Sequence, residues 1–289
     1  YTNLDKKFWI KKGIEWNNRK CFKDFLDMKN RIDKELVERQ LITSRTRAQE
    51  LIESGYVKCN DKIIYKCNYL VSESDKLEII KNDKLKYVSR GGLKLEKAIN
   101  EFDINLKNKI IMDIGSSTGG FCDCALQNGA KKIIAVDVGT NLMHEMLRNN
   151  PKIELHEKTN FKNLPHNYFV DIDVITCDVS FISLKQIIKK IYNENIRVDL
   201  ICLIKPQFEC GKELADKYKG IILNKSIHKQ LIKDLFYYFN SLNFYVKNFT
   251  FSPIKGGDGN IEYLVQLSNK NCTNKEVNID RIVDIAFKS

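Results

Sequence analysis

Four charged side chains stand at the ends of apolar runs that are typical of buried strands. Lys94 lies on an amphipathic helix before the first strand, and Asp178 ends the fourth strand. Lys205 ends the fifth strand, and Glu262 opens the last one. A charge in such a position costs free energy unless it is paired or has a function. Because ligands of α/β sheets bind outside the carboxyl ends of the strands, we expect the four groups to meet around a ligand.

A Gly-rich turn follows the first strand, where residues 113–121 are Asp-Ile-Gly-Ser-Ser-Thr-Gly-Gly-Phe. An apolar run that ends in Asp113 and a turn that leads into a helix are typical of the opening unit of a doubly wound sheet. About twenty residues later a second apolar run ends in Asp137, and an acid there can bind the two hydroxyls of a ribose. The turn has neither the glycine spacing of dinucleotide-binding loops nor the Lys-Ser or Lys-Thr of a P-loop. It therefore favours a ligand with a nucleoside but no pyrophosphate, and S-adenosylmethionine is the obvious one.

These residues depend on a sheet that the rest of the pattern predicts. Apolar runs alternate with amphipathic segments, which is typical of a three-layer α/β domain. The expected strands are 110–113, 132–137, 152–156, 174–177, 200–204, 244–251 and 261–267, and the expected helices are 121–128, 142–149, 184–192 and 227–240. The connection 252–260 is too short for a crossover helix, so the last two strands must be antiparallel neighbours. The pattern predicts an α/β fold, with a Rossmann-like seven-stranded sheet of the S-adenosylmethionine-dependent methyltransferase type and an antiparallel last strand.

Residues 31–80 predict a separate small α+β module with two short helices and a β-hairpin. The apolar stripes of the two helices leave Arg39, Arg45 and Arg47 free, outside the core. Arg45 and Arg47 stand in the first turn of the second helix, where the helix dipole disfavours cations. We therefore expect these two arginines to face an anion.

The composition points to a polyanionic partner. The net charge is +11 and the pI ≈ 9.1, which favours nucleic acid or a membrane surface as the partner. Residues 1–90 hold 21 Lys and Arg against 14 Asp and Glu, so the excess is densest before the Gly-rich turn. No apolar run approaches the ~20 residues that a membrane helix needs. Nine cysteines without a Cys-x-x-Cys pair and four scattered histidines indicate reduced cysteines and no metal site.

The sequence divides into five predicted segments. They are an N-terminal extension (1–30), the small module (31–80), a linker (81–92), the catalytic domain (93–268) and a polar C-terminal tail (269–289). The charge of the linker and its double glycine, Gly91-Gly92, favour a mobile connection over the surface.

The small module resembles the S-four-like RNA-binding domain of a ribosomal protein and of pseudouridine synthases. The resemblance rests on Arg31-x-Asp33-x-x-Leu36, Ser44-Arg45-x-x-Ala48 and Ile52-x-x-Gly55-x-Val57. It implies an RNA-binding face. The candidate RNA-binding residues are Arg31, Arg39, Arg45, Arg47 and, in the linker, Arg90.

The chain as a whole is similar to the TlyA family, haemolysin-type rRNA methyltransferases that couple such a module to an FtsJ-like catalytic domain. The matching stretches lie in family order and are 87–95, 113–121, 135–139, 159–160, 178–184 and 205–209. The resemblance implies methylation of ribose 2′-hydroxyls of ribosomal RNA, typically of cytidines, with S-adenosylmethionine as the cofactor. Residues 1–30 depart from the family, and we expect residues 210–225 to form a mobile loop over the RNA site.

By resemblance, the four charged residues are the catalytic tetrad of the family. We hypothesise that Lys205 is the base that removes the 2′-hydroxyl proton, and that Lys94 lowers its pKa and holds the ribose. Asp178 and Glu262 would orient the two cations, although their charge partly opposes that lowering. The expected cofactor-binding residues are Asp113, Gly115, Ser116, Thr118, Gly119, Gly120, Phe121, Asp137, Val138, Asn160 and Asp178. The carboxamide oxygen of Asn160 is expected to accept from the adenine amino group.

Two other interpretations compete with this one. The first is a non-catalytic RNA-binding factor in ribosome assembly, against which the complete tetrad argues. The second is a membrane-active haemolysin, against which the lack of a strongly apolar amphipathic helix argues. We expect a monomer that acts on ribosomal RNA or ribosomal subunits, without stable membrane association. The expected compartment is the cytoplasm, or an organelle matrix after removal of a targeting segment.

Overall fold

In the computed structural model the chain divides into two compact units, Tyr1–Lys81 and Asn82–Ser289. The structure describes residues 29–42, 45–53, 55–80, 86–256, 259–270 and 273–289. The predictions for residues 1–28 and for the first half of the linker lie outside this part of the chain. The boundary between the two units falls within the segment predicted as a linker.

The first unit packs two short helices and short strands around a small apolar core. The elements are β1 (Asn30–Arg31), α1 (Ile32–Glu38), α2 (Arg45–Glu53), β2 (Val57–Cys59), β3 (Lys62–Ile64), β4 (Leu70–Val71) and β5 (Leu77–Ile79). Strands β3, β2 and β5 form an antiparallel sheet, and β1 pairs with β4. Ile32 and Leu36, one helical turn apart, are fully buried together with Ile52 and Val57. The predicted helices and hairpin are confirmed, whereas the short pairing of β1 with β4 was not predicted.

The second unit contains a seven-stranded sheet. Its strands are β6 (Ile110–Ile114), β7 (Lys132–Val136), β8 (Ile153–His156), β9 (Val174–Cys177), β10 (Asp199–Ile204), β11 (Tyr245–Phe251) and β12 (Tyr263–Ser268). The strand order is β11-β12-β10-β9-β6-β7-β8. The pairs from β10 to β8 are parallel, and β12 is antiparallel to both of its neighbours. The predicted fold, including the antiparallel last strand, is confirmed.

Helices cover both faces of this sheet. They are α3 (Gly91–Phe102), α4 (Gly120–Gln127), α5 (Glu145–Arg148), α6 (Leu184–Asn193), α7 (Pro206–Glu209), α8 (Lys212–Lys217), α9 (Lys225–Ser241) and α10 (Ile279–Ala286), with 3-10 turns at Phe161–Asn163 and His166–Phe169. Because successive strand residues point to opposite faces, Ile111 packs in the core with α3 and α4, and Met112 in the core with α6 and α9. Helix α5 is shorter than predicted because His144 caps its first turn by accepting from Met146 N. None of the helices in the described ranges is both long and apolar enough to cross a membrane.

The C-terminal tail is part of the second unit and not a separate appendage. Val283 and Ala286 on α10 are fully buried in the core on the α9 side of the sheet. Lys275 N donates to Val246 O, so the tail also bonds to the edge strand β11. The predicted boundary after residue 268 therefore does not separate two compact parts.

The second half of the predicted linker is also packed and not mobile. Tyr87 and Val88 are buried in the core beneath α3 and α4. Val88 N donates to Asp123 Oδ2 at 2.7 Å, and α3 begins already at Gly91. The charge pattern of residues 81–92 concealed this short apolar anchor.

Candidate active site

Strand order brings the four predicted charged residues to one edge of the sheet. Asp178 follows β9 directly, and Lys205 follows β10 directly. Glu262 precedes β12, which pairs with β10 up to the last residue of β10. Helix α3 supplies Lys94 from its buried face. Four distant parts of the sequence therefore meet at neighbouring strand ends.

The four side chains form a row of alternating charges with Asp178 between the two lysines. Asp178 Oδ1 lies 2.6 Å from Lys205 Nζ, and Asp178 Oδ2 lies 3.3 Å from Lys94 Nζ. Glu262 Oε2 lies 2.8 Å from Lys94 Nζ. Lys94, Lys205 and Glu262 are all buried. Each buried charge thus has an opposite charge beside it, which offsets the cost of removing it from water.

The ion pairs decide the protonation of the central groups. Burial disfavours the charged form of Lys94, but Asp178 and Glu262 outweigh it and raise the pKa of Lys94. Burial also disfavours charged Asp178, yet Lys205 and Lys94 lower the pKa of Asp178 to about 2. Lys94 is therefore a permanent cation held by two carboxylates. Lys205 contacts only one carboxylate and donates to Ser180 Oγ at 3.1 Å, so it has the less negative surroundings of the two lysines.

A cavity of about 490 Å³ opens beside Asp178 at the same edge of the sheet. Five of the predicted cofactor-binding residues line it: Gly115, Asp137, Val138, Asn160 and Asp178. The carboxylate of Asp137 accepts from Ser117 N and from Gly139 N, each at 2.7 Å. These bonds fix the carboxylate at the cavity wall and leave lone pairs for hydroxyl groups.

Gly115 is required where the Gly-rich turn passes the backbone of Asp178. Its φ is +79°, and a Cβ at this position would lie 2.5 Å from Asp178 O. Only glycine adopts this conformation and this approach without strain. Asp178 N also donates to Ile114 O at 3.1 Å. The cavity wall and the central carboxylate are therefore held together.

The other predicted cofactor residues do not line this cavity. They are Asp113, Ser116, Thr118, Gly119, Gly120 and Phe121. The ring of Phe121 packs in the apolar core beside α3. The carboxylate of Asp113 is buried and accepts from Thr176 Oγ1 at 2.7 Å and from Cys122 Sγ at 3.0 Å. These contacts give Asp113 and Phe121 a structural role, and cofactor contact by any of the six stays a prediction.

Asn160 lies on the cavity, but its carboxamide oxygen already has a partner. Asn160 Oδ1 accepts from Lys162 N at 3.0 Å, as the cap of a 3-10 turn. The amide nitrogen is the group of Asn160 that has no partner among the described residues. A ring nitrogen of a base would suit that donor, in addition to the amino group expected for the oxygen.

Two aromatic residues beside the charges were given no role from the sequence. Phe181 is 90% exposed and has a φ of +63°, which is unusual for a bulky residue. Its ring lies 4.9 Å from that of Phe208, which follows Lys205 by three residues. Each phenylalanine lies three residues after one of the charged candidates, and only the structure shows that the two rings meet at the surface of the site.

Residues 87–269 match the family described as FtsJ-like methyltransferase, and residues 30–77 match the S4 domain. The first match spans more than half of the chain. The chain belongs to the FtsJ-like methyltransferase family.

Relatives of this FtsJ-like methyltransferase match most of its length. A candidate rRNA methyltransferase of Bacillus subtilis is 43% identical over 83% of this chain and 85% of its own length. The 23S rRNA (cytidine-2′-O)-methyltransferase TlyA of Campylobacter jejuni is 38% identical over 78% of this chain and 95% of its own length. A solved structure of a candidate hemolysin from Streptococcus thermophilus is 36% identical, has a TM-score of 0.69, and covers 90% of this chain and 96% of that one. The resemblance to the TlyA family is confirmed.

The first unit of this FtsJ-like methyltransferase corrects the expectation of free arginines. Arg31 and Arg45 both bind the buried carboxylate of Asp33, at 3.0 Å and 2.9 Å. Arg39 bonds to Glu35 Oε2 and to the backbone oxygens of Ser72 and Asp75. The anion that Arg45 was expected to face is therefore Asp33, inside the same unit.

Arg47 and Arg90 are the two other candidate RNA-binding residues. The side chain of Arg47 lies outside the described part of the chain. Arg90 is half-buried and precedes α3 in the second unit. RNA contact by any of the five arginines stays a prediction.

Proposed function

We propose that this enzyme transfers a methyl group from S-adenosylmethionine to ribose 2′-hydroxyls of ribosomal RNA, with cytidine as the target nucleoside. The observation that carries the proposal is that Asp178 belongs to two parts of the site. Its carboxylate binds both buried lysines, and the same residue lines the nucleoside-sized cavity. A binding site and a set of acid–base groups therefore share one residue. The cytidine preference is supported by the similarity to the 23S rRNA (cytidine-2′-O)-methyltransferase of Campylobacter jejuni.

The cavity fits the cofactor. The fixed carboxylate of Asp137 would accept from the two ribose hydroxyls, and Val138, which is 71% exposed, would cover one face of the adenine. The amide of Asn160 would bind an edge of the base. Gly115 and Asp178 line the same part of the cavity wall, and the methionine part would lie beside them. When bound, the cofactor supplies an electrophilic methyl group on a sulfonium centre.

The charged residues would hold and activate the acceptor. Lys94 keeps its charge and would orient the ribose through its oxygens. Once Nζ has released a proton to solvent, Lys205 would take the proton of the 2′-hydroxyl as that oxygen bonds to the methyl group. Asp178 and Glu262 fix the two lysines, so that the acceptor oxygen is held in line with the methyl group. Positioning of this kind supplies a large part of the acceleration in a transfer between two bound substrates.

The surface around these groups suits an RNA nucleotide. The exposed ring of Phe181, beside Phe208, offers a stacking face for a base that has left its helix. The S4 match of the first unit and the net charge of +11 support a polyanionic RNA partner.

The test is methyl transfer with tritiated S-adenosylmethionine to purified ribosomal RNA and to ribosomal subunits. We expect label in RNA, and 2′-O-methylcytidine in the nucleoside digest. Lys205→Ala should abolish transfer while cofactor binding persists. Lys270→Ala is the matched control, because Lys270 pairs with Asp199 at the opposite end of the same strand. Full transfer by Lys205→Ala would refute the proposed base. RNA binding with no transfer by the wild type would refute the methyltransferase proposal and favour an assembly factor.

A further inference from the structure

A short flap follows the strand end that carries Lys205. We define the flap as residues 211–222, which begin with Gly211 (φ +80°) and contain a second positive-φ glycine, Gly220 (φ +76°). Helix α8 lies between these glycines and has no buried residue. The predicted loop 210–225 is thus partly helical, and its helix is not packed into the core.

The first end of the flap is fixed by Glu209. This carboxylate accepts from Ser183 Oγ at 2.5 Å and from Leu184 N at 2.7 Å. Glu209 lies four residues after Lys205, and Ser183 lies five residues after Asp178. The flap therefore begins next to a contact that joins the segment after Lys205 to the segment after Asp178.

The other end of the flap is held by Asn260. This residue is only 2% exposed. Both the oxygen and the nitrogen of its side-chain amide form hydrogen bonds to the backbone of the flap. Asn260 Nδ2 donates to Gly220 O at 2.8 Å, and Ile222 N donates to Asn260 Oδ1 at 3.1 Å. Buried His228 adds a bond between its Nε2 and Ile222 O at 2.9 Å. Asn260 therefore anchors the base of the flap, and these bonds in turn fix Asn260.

The same residue shapes the loop that covers the catalytic carboxylate. Gly256 N donates to Asn260 O at 2.9 Å, which closes the loop before β12. A Cβ at Gly256 would lie 2.7 Å from Glu262 Oε1, so this backbone lies against the carboxylate. Glu262 follows Asn260 by two residues, so the backbone that Asn260 holds also positions Glu262.

We propose that Asn260 is a positioning residue, which uses the base of the flap to fix the backbone that presents Glu262 to Lys94. The inference rests on the proposed methyl transfer. Loss of the Asn260 side chain frees the flap at 220–222, and the backbone at 259–262 then loses the support of the flap. Only a fraction of the molecules then keeps the 2.8 Å contact between Glu262 and Lys94. In the other molecules the acceptor oxygen is misplaced.

The chain offers a matched control for this residue. Asn269 makes the same pair of bonds at the opposite edge of the sheet, where Val198 N donates to its Oδ1 at 2.7 Å and its Nδ2 donates to Ile196 O at 2.6 Å. Asn260→Ala and Asn269→Ala each remove two side-chain bonds to the backbone. A merely structural role would give the two variants the same behaviour.

The experiment compares both variants of the full chain by hydrogen exchange and by steady-state kinetics. Asn260→Ala should speed amide exchange of residues 211–222 by about tenfold to a hundredfold, with no such change in Asn269→Ala. It should lower kcat for RNA methylation by about tenfold or more, with the Kd for S-adenosylmethionine within about twofold of the wild type. If Asn260→Ala is too unstable to purify, the isosteric Asn260→Asp keeps the bond from Ile222 N but loses the donor to Gly220 O, and it should change exchange and kcat in the same direction.

Two results would overturn the inference. One is unchanged exchange of residues 211–222 in Asn260→Ala, which means that the amide does not hold the flap. The other is an equal loss of kcat in Asn260→Ala and Asn269→Ala, which means that both act through general stability. A wild-type protein that transfers no methyl group would instead refute the proposed function, while the exchange measurement still decides whether Asn260 holds the flap.

Discussion

Asp178 connects the two halves of the site, and the structure explains why a carboxylate is needed there. One oxygen faces Lys205 and the other faces Lys94, so an amide at this position would present a donor to one of two cations. Glu262 in contrast contacts Lys94 alone among the described lysines. Although both acids are part of one row of charges, removal of Asp178 should therefore lower kcat more than removal of Glu262.

The first prediction compares these two acids. Asp178→Asn should lower kcat by about a hundredfold to a thousandfold, because both lysines lose their shared carboxylate. Glu262→Gln should lower it by about tenfold, because Lys94 keeps Asp178. Single-turnover methyl transfer measures both. Asp173→Asn is the control, since Asp173 pairs with Lys109 at the other end of the strand that precedes Asp178. Equal losses in the two catalytic variants would contradict the central position of Asp178.

The second prediction concerns Asp113 and pH. Burial raises the pKa of Asp113 to about 6, although Thr176 and Cys122 donate hydrogen bonds to it. The folded protein therefore binds this proton more tightly than the unfolded chain does. The stabilisation is present below about pH 4 and is lost as the pH rises to about 6. Over that window the free energy of unfolding of the wild type should fall by up to about 3 kcal/mol relative to Asp113→Asn.

Urea unfolding of both proteins between pH 4 and pH 7 measures this difference. Asp173→Asn serves as the comparison, because the pKa of Asp173 is lowered and its contribution has the opposite dependence on pH. Parallel curves for the wild type and Asp113→Asn would show that Asp113 does not titrate in this range.

At the scale of elements, local patterns predicted most of the sheet, and the reasons are physical. The runs that became β6, β9 and β10 are apolar on both faces, and a short connection left only one arrangement for the last two strands. The charged residues of the site could be recognised from the sequence because they stand at the ends of such apolar runs. The flap and the packing of Tyr87 and of the tail depend on contacts between distant residues, which no local pattern contains. The pairing of Arg45 with Asp33 was concealed in the same way, because it joins two helices.

The third prediction tests that pairing in the first unit. Arg31, Arg45 and Gln49 all bond to Asp33, and despite its burial they lower the pKa of Asp33 to about 2. The resulting stability is present above about pH 4 and is lost as the pH falls toward 2. Asp33→Asn should cost about 2 kcal/mol at pH 7, because the arginines lose a buried partner.

Thermal unfolding and hydrogen exchange of α1 and α2 measure this cost. The difference from the wild type should shrink below pH 4. Glu38→Gln is the control, because the pair of Lys34 and Glu38 is exposed and should contribute no more than about 0.5 kcal/mol. If Asp33→Asn lowered the free energy of unfolding as little as Glu38→Gln does, the pairing of the arginines with Asp33 would not stabilise the unit.

For the whole molecule, the net charge of +11 predicts binding to RNA that weakens strongly with salt, but the internal pairs change which cations should contribute. Arg31, Arg39 and Arg45 already have acidic partners. Lys62 and Lys66 are exposed in the first unit and have no acidic partner in the part of the chain that the structure describes. These two lysines are therefore free to release counterions from a phosphate backbone.

The last prediction follows from this distribution of charge. Lys62→Ala and Lys66→Ala should each reduce the slope of log K against log salt concentration by about 0.7 to 0.9, which is the contribution of one phosphate contact. Filter binding or anisotropy with ribosomal RNA fragments between low and physiological salt measures the slope. Lys270→Ala should leave it unchanged, because Lys270 is paired with Asp199. If the slope falls for Arg45→Ala and not for the two lysines, the arginines exchange Asp33 for phosphate on binding, and the face that binds RNA is the helical one expected from the sequence.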